Sequence, residues 1–540
     1  MKTWSRRELA RTAAIAALGA PAILPHLAGR RAEAQVPART LVVAKNIDDI
    51  ISLDPAQTFE FTGGELVANI YDRLVQYDVE DPTRLQPSLA ESWRVGPDGK
   101  TIIFTLREGA VFASGNPVRP EDVEFSFRRV IRLNKPPAFI LAQMGWRPDN
   151  VDQLIRKTGP REVSVTYTEN FSPAFVLNAL GARPAAIVDQ VEAMAHEQNG
   201  DLGNAWLGQN SAGSGAFRLA RLRASESVAL AANPRHFRGA PALEQVILRH
   251  VPEPGSQRLL LERGDIDIAR DLGPDELAAV AQRQGLKVER FPQATIHFFT
   301  LNLRHERLRN PALWEAMRWL VDYDGIADRL LRGQMRVHQA FLPVGFPGAL
   351  TDRPYRLDVA RAREILARAG LQDGIAVEMD VISGAPFMDI AQSIQQTMAQ
   401  ANIRLTLVPG TSAQVITKYR ARNHQMMLIY WNPDFMDPHS NAKAFAYNTN
   451  NADDAPQSTT TWRNSWLIPE LSRRTVEALT APDAAQRARL YEALQRDVQR
   501  ESPIVIMFQA QAAAGMREVV RGYRQGPTND LILYRGVAKG

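Results

Sequence analysis

Short strand-like runs alternate with helix-like segments along most of this 540-residue chain, and they follow no fixed repeat period. A chain that mixes the two element types in this way packs them in layers, so the alternation predicts a multi-lobed α/β protein instead of a β-sandwich or a helix bundle. The length is typical of about three domains or lobes. The strand-like runs are Thr40–Ala44, Ile102–Leu106, Val163–Tyr167, Val228–Ala231, Val246–Val251, Ile296–Leu303, Met426–Tyr430 and Ile504–Phe508.

Capping residues predict where three helices begin. Asn310 is followed by a proline, and Asp358 and Asp483 each precede a periodic apolar segment. The first of these helices is predicted to bury one face, made of Leu313, Met317, Leu320 and Val321.

The segment 96–101 superficially resembles a phosphate-binding loop. Arg94 stands where such a loop requires a glycine, so the phosphate-binding interpretation is rejected. Asp98-Gly99 lies instead between two strand-like runs, which predicts a β-hairpin at this point.

Most of the excess positive charge lies at the N-terminus. The chain has 64 Lys+Arg and 59 Asp+Glu residues, a formal net charge of +5. Residues 1–34 hold six basic and two acidic residues, so the rest of the chain is nearly neutral. A nearly neutral protein lacks the electrostatic footprint of nucleic-acid binding, and no nucleic-acid partner is expected.

The same N-terminal segment has the pattern of an export signal. Arg6-Arg7 and Leu9 precede a mildly apolar run, and a small-residue exit follows at Ala32-Glu33-Ala34. The arginine pair predicts a twin-arginine signal at residues 1–34, cleavage near Ala34 and a periplasmic location, with an ordinary secretory signal as the alternative. The chain has no cysteine, which excludes a lipid anchor at this signal, disulfides and a thiolate metal site.

No enzyme signature is complete. Ala212 stands where a nucleophile elbow around Ser214 requires a glycine, and His196-Glu197 lacks the second histidine of a zinc-protease helix. His297 falls within an apolar run, where a hydrogen-bonded core histidine is the simpler interpretation. The nine histidines form no cluster, so no metal site and no other cofactor is expected.

Five segments of the chain follow one another in a recognisable order. The most specific begins Leu85-Gln86-Pro87-Ser88-Leu89-Ala90-Glu91-Ser92-Trp93 and continues to Phe125-Ser126. The others are Ser52-Leu53-Asp54-Pro55, Gly213-Ser214-Gly215-Ala216-Phe217-Arg218-Leu219, the segment from Phe299 to Asp322, and the segment from Trp431 to Pro438. Together they resemble the extracellular solute-binding proteins of peptide-type (dipeptide, oligopeptide, nickel) ABC importers, family 5. The resemblance covers about residues 40–510.

The resemblance implies a two-lobed periplasmic-binding-protein fold of the α/β class, with a hinge between the lobes. The implied boundaries are 35–76, 205–290 and 505–540 for a discontinuous first lobe, 77–204 for its inserted subdomain, and 291–504 for the second lobe. Proteins of this family close around a solute and deliver it to a membrane permease. We therefore expect a periplasmic substrate-binding component of an ABC importer, not an enzyme, that is monomeric and has ABC permease subunits as partners.

The resemblance also implies where the solute binds. Asp434 matches the acidic residue that pairs with the α-amino group in family members that bind peptides, and an ammonium group taken out of water needs such a countercharge. Asp437, before Pro438, is expected to cap the following helix instead. The other implied ligand-binding residues are Trp431 as an apolar wall, Tyr430 and Asn432 through their backbone groups, and Phe59, Glu60 and Phe61 from the first lobe.

Leu428 departs from the family pattern. Some oligopeptide-binding members have an arginine there, available to a peptide carboxylate. A short peptide or another amine-bearing solute is the predicted ligand, and an oligosaccharide, an opine or a metal chelate is the alternative within the same fold. An exported hydrolase that uses a carboxylate pair, Asp265/Asp267 or Asp453/Asp454, is the alternative from another class.

Overall fold

The computed structural model describes residues 36–82, 84–455, 459–481 and 483–540, so the predicted export signal lies outside the described residues. The strands are β1 Thr40–Lys45, β2 Val75–Tyr77, β3 Leu85–Pro87, β4 Ala90–Val95, β5 Thr101–Leu106, β6 Ile155–Lys157, β7 Glu162–Thr166, β8 Phe217–Arg223, β9 Ser227–Ala232, β10 Gln245–His250, β11 Ile268–Ala269, β12 Leu286–Leu301, β13 Met335–Val337, β14 Ile375–Ile382, β15 Ile403–Gly410, β16 Met426–Trp431, β17 Ile504–Arg517, β18 Val520–Arg521 and β19 Ala538–Lys539.

The helices separate these strands along the chain. They are α1 Phe61–Ile70, α2 Pro120–Leu133, α3 Phe139–Ala142, α4 Val151–Leu154, α5 Pro173–Leu180, α6 Gln190–Ala195, α7 Asn204–Leu207, α8 Pro254–Arg263, α9 Pro274–Ala281, α10 Pro311–Arg318, α11 Val359–Arg368, α12 Phe387–Ala399, α13 Ser412–Arg420, α14 Pro438–Ala446, α15 Thr460–Arg463, α16 Pro469–Thr480 and α17 Ala484–Glu501. A π-helical segment covers Gly325–Leu330, and short 3-10 segments cover Pro136–Ala138, Arg183–Ala185, Glu306–Leu308 and Asn529–Leu531. Among the described residues, no helix is both long enough and apolar enough to span a bilayer.

One mixed sheet of eleven strands runs through the molecule. Its order is β15-β14-β16-β12-β17-β11-β1-β10-β9-β8, and β13 also pairs with β17. Strand β1 is parallel to β10 and β11, and β14 is parallel to β15 and β16, so each lobe has a parallel group. The two groups lie on opposite sides of the antiparallel pair β12 and β17. This is the two-lobed α/β architecture that the sequence predicts.

The pair β12 and β17 connects the lobes. Residues 286–292 of β12 pair with 511–517 of β17, on the side where β17 also pairs with β11. Residues 296–300 pair with 504–509, where β12 also pairs with β16. The register shifts between Pro292 and Ile296, at the junction of these two stretches, and again between His297 and Phe298. Because such an irregularity interrupts a ladder and bends a strand, the two connecting strands are weakest between the lobes.

A separate antiparallel sheet, β4-β5-β7-β6, lies within residues 90–166. It has its own apolar core, in which Phe104, Phe127 and Trp146 are buried. Two further cores pack on the parallel group around β1, and two others pack on the group around β14. The predicted residue boundaries of the lobes and of the inserted subdomain stay predictions.

The predicted helix starts are confirmed, because Asn310, Asp358 and Asp483 each accept a hydrogen bond from a backbone N–H of the first turn. Asp98-Gly99 joins β4 to β5 as predicted, and Gly99 has a φ of 67°, which favours glycine. The prediction that Leu320 and Val321 lie on the first of these helices is wrong. Helix α10 ends at Arg318, so Leu320 and Val321 are buried from the segment beyond it. Burial of an apolar residue does not require that the helix continue.

Candidate functional site

Strand β16 ends where the sequence predicts solute contacts. Its last two residues, Tyr430 and Trp431, are half-buried, and their side chains stand on opposite faces of the sheet. The Tyr430 ring lies 5.8 Å from the ring of Phe387. Trp431 donates its Nε1–H to Asn441 Oδ1 at 3.1 Å, and its ring lies 6.0 Å from Phe445. Contacts within the second lobe therefore hold Trp431 in place.

The chain turns after this strand, with a bend at residues 434–437. Asn432 Oδ1 accepts a hydrogen bond from Thr295 Oγ1 at 3.0 Å, which ties the turn to β12. The backbone N–H of Asp434 donates to Ser440 Oγ at 3.0 Å. The Asp434 carboxylate itself makes no hydrogen bond or ion pair with any described residue. The backbone at Asp434 is thus fixed while its charge has no partner.

The surroundings of Asp434 disfavour an unpaired charge. Burial raises the pKa of Asp434 to about 7, although the positive charges of Lys443, Arg183 and Arg463 act in the opposite direction. Removal of a carboxylate from water favours the protonated form, whereas a nearby cation favours the ionised form. The carboxylate is therefore poised to gain from a cation that comes closer than these three residues do.

Asp437 has the opposite environment three residues further on. It is fully buried, and its Oδ1 accepts the N–H of His439 at 2.8 Å, which caps α14 as the sequence predicts. Both of its oxygens also accept hydrogen bonds from Arg487, at 2.6 and 3.0 Å. Asn178, on α5, donates to Oδ2 at 3.1 Å. Sequence reasoning found the cap but missed Arg487, since the arginine lies 50 residues along the chain.

Hydrogen bonds fix the first-lobe segment that contains Phe59, Glu60 and Phe61. Asp54 is fully buried and accepts two hydrogen bonds from Arg129, at 2.5 and 2.7 Å. Arg183 Nη1 donates to the carbonyl oxygens of residues 58 and 60, at 3.3 and 3.2 Å. The backbone of this segment is therefore positioned by two arginines.

The side chains of that segment differ in what they face. Phe59 and Phe61 are 39% and 43% exposed, which is unusual for such large apolar residues. The Phe59 ring lies 6.2 Å from Phe139, within the first-lobe side. The half-buried Glu60 accepts the N–H of Phe59 at 3.1 Å, so its carboxylate supports its own loop.

Residues from the two lobes meet at this place. The ring of Phe61 lies 6.3 Å from the ring of Tyr430. Tyr77 Oη accepts the backbone N–H of Met436 at 3.1 Å, also between the lobes. The space bordered by Phe61 on one side and by residues 430–434 on the other is called the interlobe cleft below. The structure thus brings together predicted residues that lie almost 370 positions apart in the sequence.

The environment of His297 differs from the one that the sequence predicts. It is buried as predicted, at 5% exposure, but neither ring nitrogen has a hydrogen-bond partner among the described residues. Its ring lies 5.4 Å from Phe387 and 6.2 Å from Tyr430. The prediction of a hydrogen-bonded core histidine is therefore wrong. Burial in an apolar run does not reveal whether a polar partner is present, because partners come from other elements.

One edge of β16 is open beside the cleft. Strand β14 pairs with β16 as far as Leu428, whereas residues 429–431 pair with β12 alone among the described strands. Leu428 is fully buried in an apolar core, so that position offers no countercharge for a carboxylate. The open edge presents backbone groups that can hydrogen-bond an extended chain.

One member of each acidic pair considered for a hydrolase has a structural partner. Asp267 is fully buried, accepts the N–H of Val42 at 2.9 Å and pairs with Lys539 at 3.0 Å. Asp453 pairs with Arg422 at 3.1 Å. No group of three or more His, Asp or Glu residues within the described part of the chain is placed to hold a metal ion.

Two lobes, an open strand edge and a carboxylate between them that has no ion pair among the described residues are typical of a protein that binds a solute. Residues 84–453 match the family of bacterial extracellular solute-binding proteins, family 5, middle region. The chain belongs to this family.

The relatives agree over nearly the full length. The chain is 28% identical to the probable D,D-dipeptide-binding periplasmic protein of Escherichia coli K12, over 93% of this chain and 94% of that protein. Two solved structures have the same fold. One is an ABC transporter-associated periplasmic binding protein from Helicobacter pylori with the peptide STSA (TM-score 0.77, 22% identity, 93% and 98% of the two chains). The other is a dipeptide-binding protein from Pseudoalteromonas sp. SM9913 with Met-Leu (TM-score 0.76, 21% identity, 93% and 100%).

Proposed function

We propose that this protein is the periplasmic substrate-binding component of an ABC importer and that it binds a short peptide, or another solute with a free amine, in the interlobe cleft. The observation that carries the proposal is the Asp434 carboxylate, which lies at the cleft and has no hydrogen bond or ion pair with any residue that the structure describes. The relatives named for peptides support the same ligand class.

The amine of the ligand pairs with Asp434. An ammonium group that leaves water loses its hydration, and a carboxylate at contact distance compensates for that loss. The same contact removes the cost of the unpaired Asp434 charge, whose pKa burial raises to about 7. Pairing lowers the free energy of both the amine and the carboxylate. The pair therefore contributes affinity, and also specificity for a ligand with a cationic end.

The peptide backbone extends along the open edge of β16. Residues 429–431 have backbone groups that face no strand there among the described residues, and Asn432 continues the same edge. Main-chain hydrogen bonds of this kind bind peptides with little regard to their side chains. Phe59, Glu60 and Phe61 close the cleft from the first lobe, and Trp431 supports the opposite wall.

Closure of the lobes couples binding to transport. The proposed hinge lies where β12 and β17 are irregular, between Pro292 and Ile296. Solute that contacts both lobes stabilises the closed state, which membrane permease subunits then recognise. We infer that the protein acts as a monomer, with those subunits as its partners.

A ligand screen beside a turnover screen tests this function. Thermal-shift measurements with dipeptides, tripeptides, opines and oligosaccharides should show stabilisation by peptides, and product analysis should show that the peptides stay intact. Hydrolysis that disappears when Asp265 or Asp453 is replaced by asparagine would favour the hydrolase alternative. Stabilisation by oligosaccharides alone would favour a neutral solute. Native mass spectrometry of the protein purified from its own periplasm identifies a ligand that stays bound.

The export route is a separate proposal. We propose that residues 1–34 are a twin-arginine signal that is cleaved near Ala34. Arg6→Lys combined with Arg7→Lys should stop translocation, since this route reads the arginine pair. Cell fractionation measures the periplasmic protein, and a lysine pair that exports normally would indicate the ordinary secretory route.

A further inference from the structure

A polar side chain is buried among the aromatic rings of the cleft. His297 and Tyr430 are directly opposite each other in the β12–β16 ladder, so their side chains share one face of the sheet. Tyr430 contacts Phe61 from the first lobe and Phe387 from α12. These four residues, Phe61, His297, Phe387 and Tyr430, are called the aromatic cluster below.

His297 is the residue of the aromatic cluster that lacks a hydrogen-bond partner among the described residues. Its Nδ1 is fully buried, and neither ring nitrogen has a hydrogen-bond partner among the described residues. A buried nitrogen without a partner lowers stability, and native proteins retain few such groups. A bound solute can supply the missing partner, because the aromatic cluster borders the cleft in which a solute is proposed to bind.

The chemistry of the ring restricts what that partner is. Burial lowers the pKa of His297 to about 4, so the ring is neutral at pH 7. A neutral imidazole has one donor and one acceptor nitrogen, and a hydroxyl group can pair with either of them. The three aromatic neighbours favour a flat apolar ring as the body of the incoming group.

We propose that His297 determines side-chain specificity: an aromatic ligand side chain that carries a hydroxyl packs against the aromatic cluster, and His297 hydrogen-bonds that hydroxyl. The inference rests on the proposed function, since it places a peptide in the cleft. A site with a buried polar group discriminates against an analogue that leaves the group unpaired. Peptides with a tyrosine-type side chain are therefore preferred over their phenylalanine counterparts.

Four dipeptides test the inference on the wild-type protein. Calorimetric titration with Ala-Tyr, Ala-Phe, Tyr-Ala and Phe-Ala should show that one tyrosine peptide binds about tenfold more tightly than its phenylalanine partner, the value of one hydrogen bond to a buried group. Equal affinities in both pairs overturn the role of His297 and leave the peptide function intact. No binding of any of the four overturns this inference, whereas the peptide function is decided by the broader ligand screen described above.

Two variants assign the preference to the histidine. His297→Leu should bind both members of the preferred pair with equal affinity, whereas His297→Asn, which keeps a donor and an acceptor, should retain part of the preference. Melting curves of the unliganded variants show whether each folds. An unchanged preference in a folded variant would contradict the assignment.

Discussion

Asp434 and Asp437 lie in one loop, yet their surroundings use the two charges in opposite ways. Asp437 is fully buried, and Arg487, Asn178 and the first turn of α14 satisfy both of its oxygens. Asp434 is half-buried, its carboxylate has no such partner in the described part of the chain, and burial raises its pKa to about 7. A charge that is paired within the protein therefore stabilises the loop, whereas a charge in the same loop without such a pair is available to a ligand.

The largest effect should come from the paired charge. Asp437→Asn keeps the shape and the helix cap but leaves the Arg487 guanidinium, whose side chain is 13% exposed, without a countercharge. Breaking a buried ion pair on one side costs about 3–5 kcal/mol of stability. Denaturation of the unliganded protein measures this loss. Peptide affinity, measured at a temperature where the variant is folded, should change by less than about threefold.

The matched substitution at the unpaired charge should act on binding instead. Asp434→Asn removes the countercharge for a ligand amine, so the affinity for a bound dipeptide should fall by roughly a hundredfold or more. The unliganded protein should be no less stable, because the substitution also removes a charge that burial disfavours. Calorimetric titration and melting curves report the two quantities.

Two results would contradict the separate roles of Asp434 and Asp437. Unchanged binding by Asp434→Asn would mean that the ligand has no cationic anchor here, and a neutral solute would replace the peptide. A loss of affinity in Asp437→Asn as large as in Asp434→Asn would mean that the two aspartates do not have separate roles.

The sequence predicts local features of this loop and misses the distant ones. The cap at Asp437 is local, since an Asp-Pro pair already specifies it, and the structure confirms it. Arg487, in contrast, lies on α17 and reaches the loop only through packing of helices that are distant in the sequence. Likewise, the strand around His297 was predicted, but the missing partners of its ring depend on α12 and β16.

The fold follows the same division. The family resemblance predicts two lobes, whereas it gives no sign that β12 and β17 run as strands of 16 and 14 residues through both. Short apolar runs at 296–303 and 504–508 predicted only the second-lobe ends of these strands. The other ends, at 286–292 and 511–517, are mixed in polarity and become strands because they pair with each other.

The charge on Asp434 should also make peptide binding depend on pH. Peptide affinity should rise by about twentyfold between pH 5.5 and 7.5, because Asp434, with a pKa of about 7, becomes charged while a peptide amine stays mostly protonated. Burial lowers the pKa of His297 to about 4 and that of His439 to about 3, so neither titrates in this window. Asp434→Asn should make the affinity nearly independent of pH. Calorimetric titration across the series tests both.

The same pKa determines the sign of the effect on unliganded stability. A carboxyl group with a higher pKa in the folded than in the unfolded protein stabilises the fold at low pH, and this contribution is lost as the pH rises through the folded pKa. The Tm of the wild type should therefore fall relative to that of Asp434→Asn between pH 5.5 and 7.5. A constant difference would show that Asp434 does not titrate in this range.

The smallest effect is expected from the third acidic residue of the cleft, Glu60. Its carboxylate already accepts the N–H of Phe59 at 3.1 Å, so it resembles Asp437 more than Asp434 in supporting its own loop. A glutamine at this position keeps an acceptor oxygen, and Glu60→Gln should weaken peptide binding by less than about threefold. The same calorimetric titration, with Asp434→Asn measured beside it, gives the comparison. A hundredfold loss of affinity in Glu60→Gln would indicate that the ligand amine binds at Glu60, in the first lobe. Removal of a carboxylate that supports only its own loop should not weaken ligand binding so much.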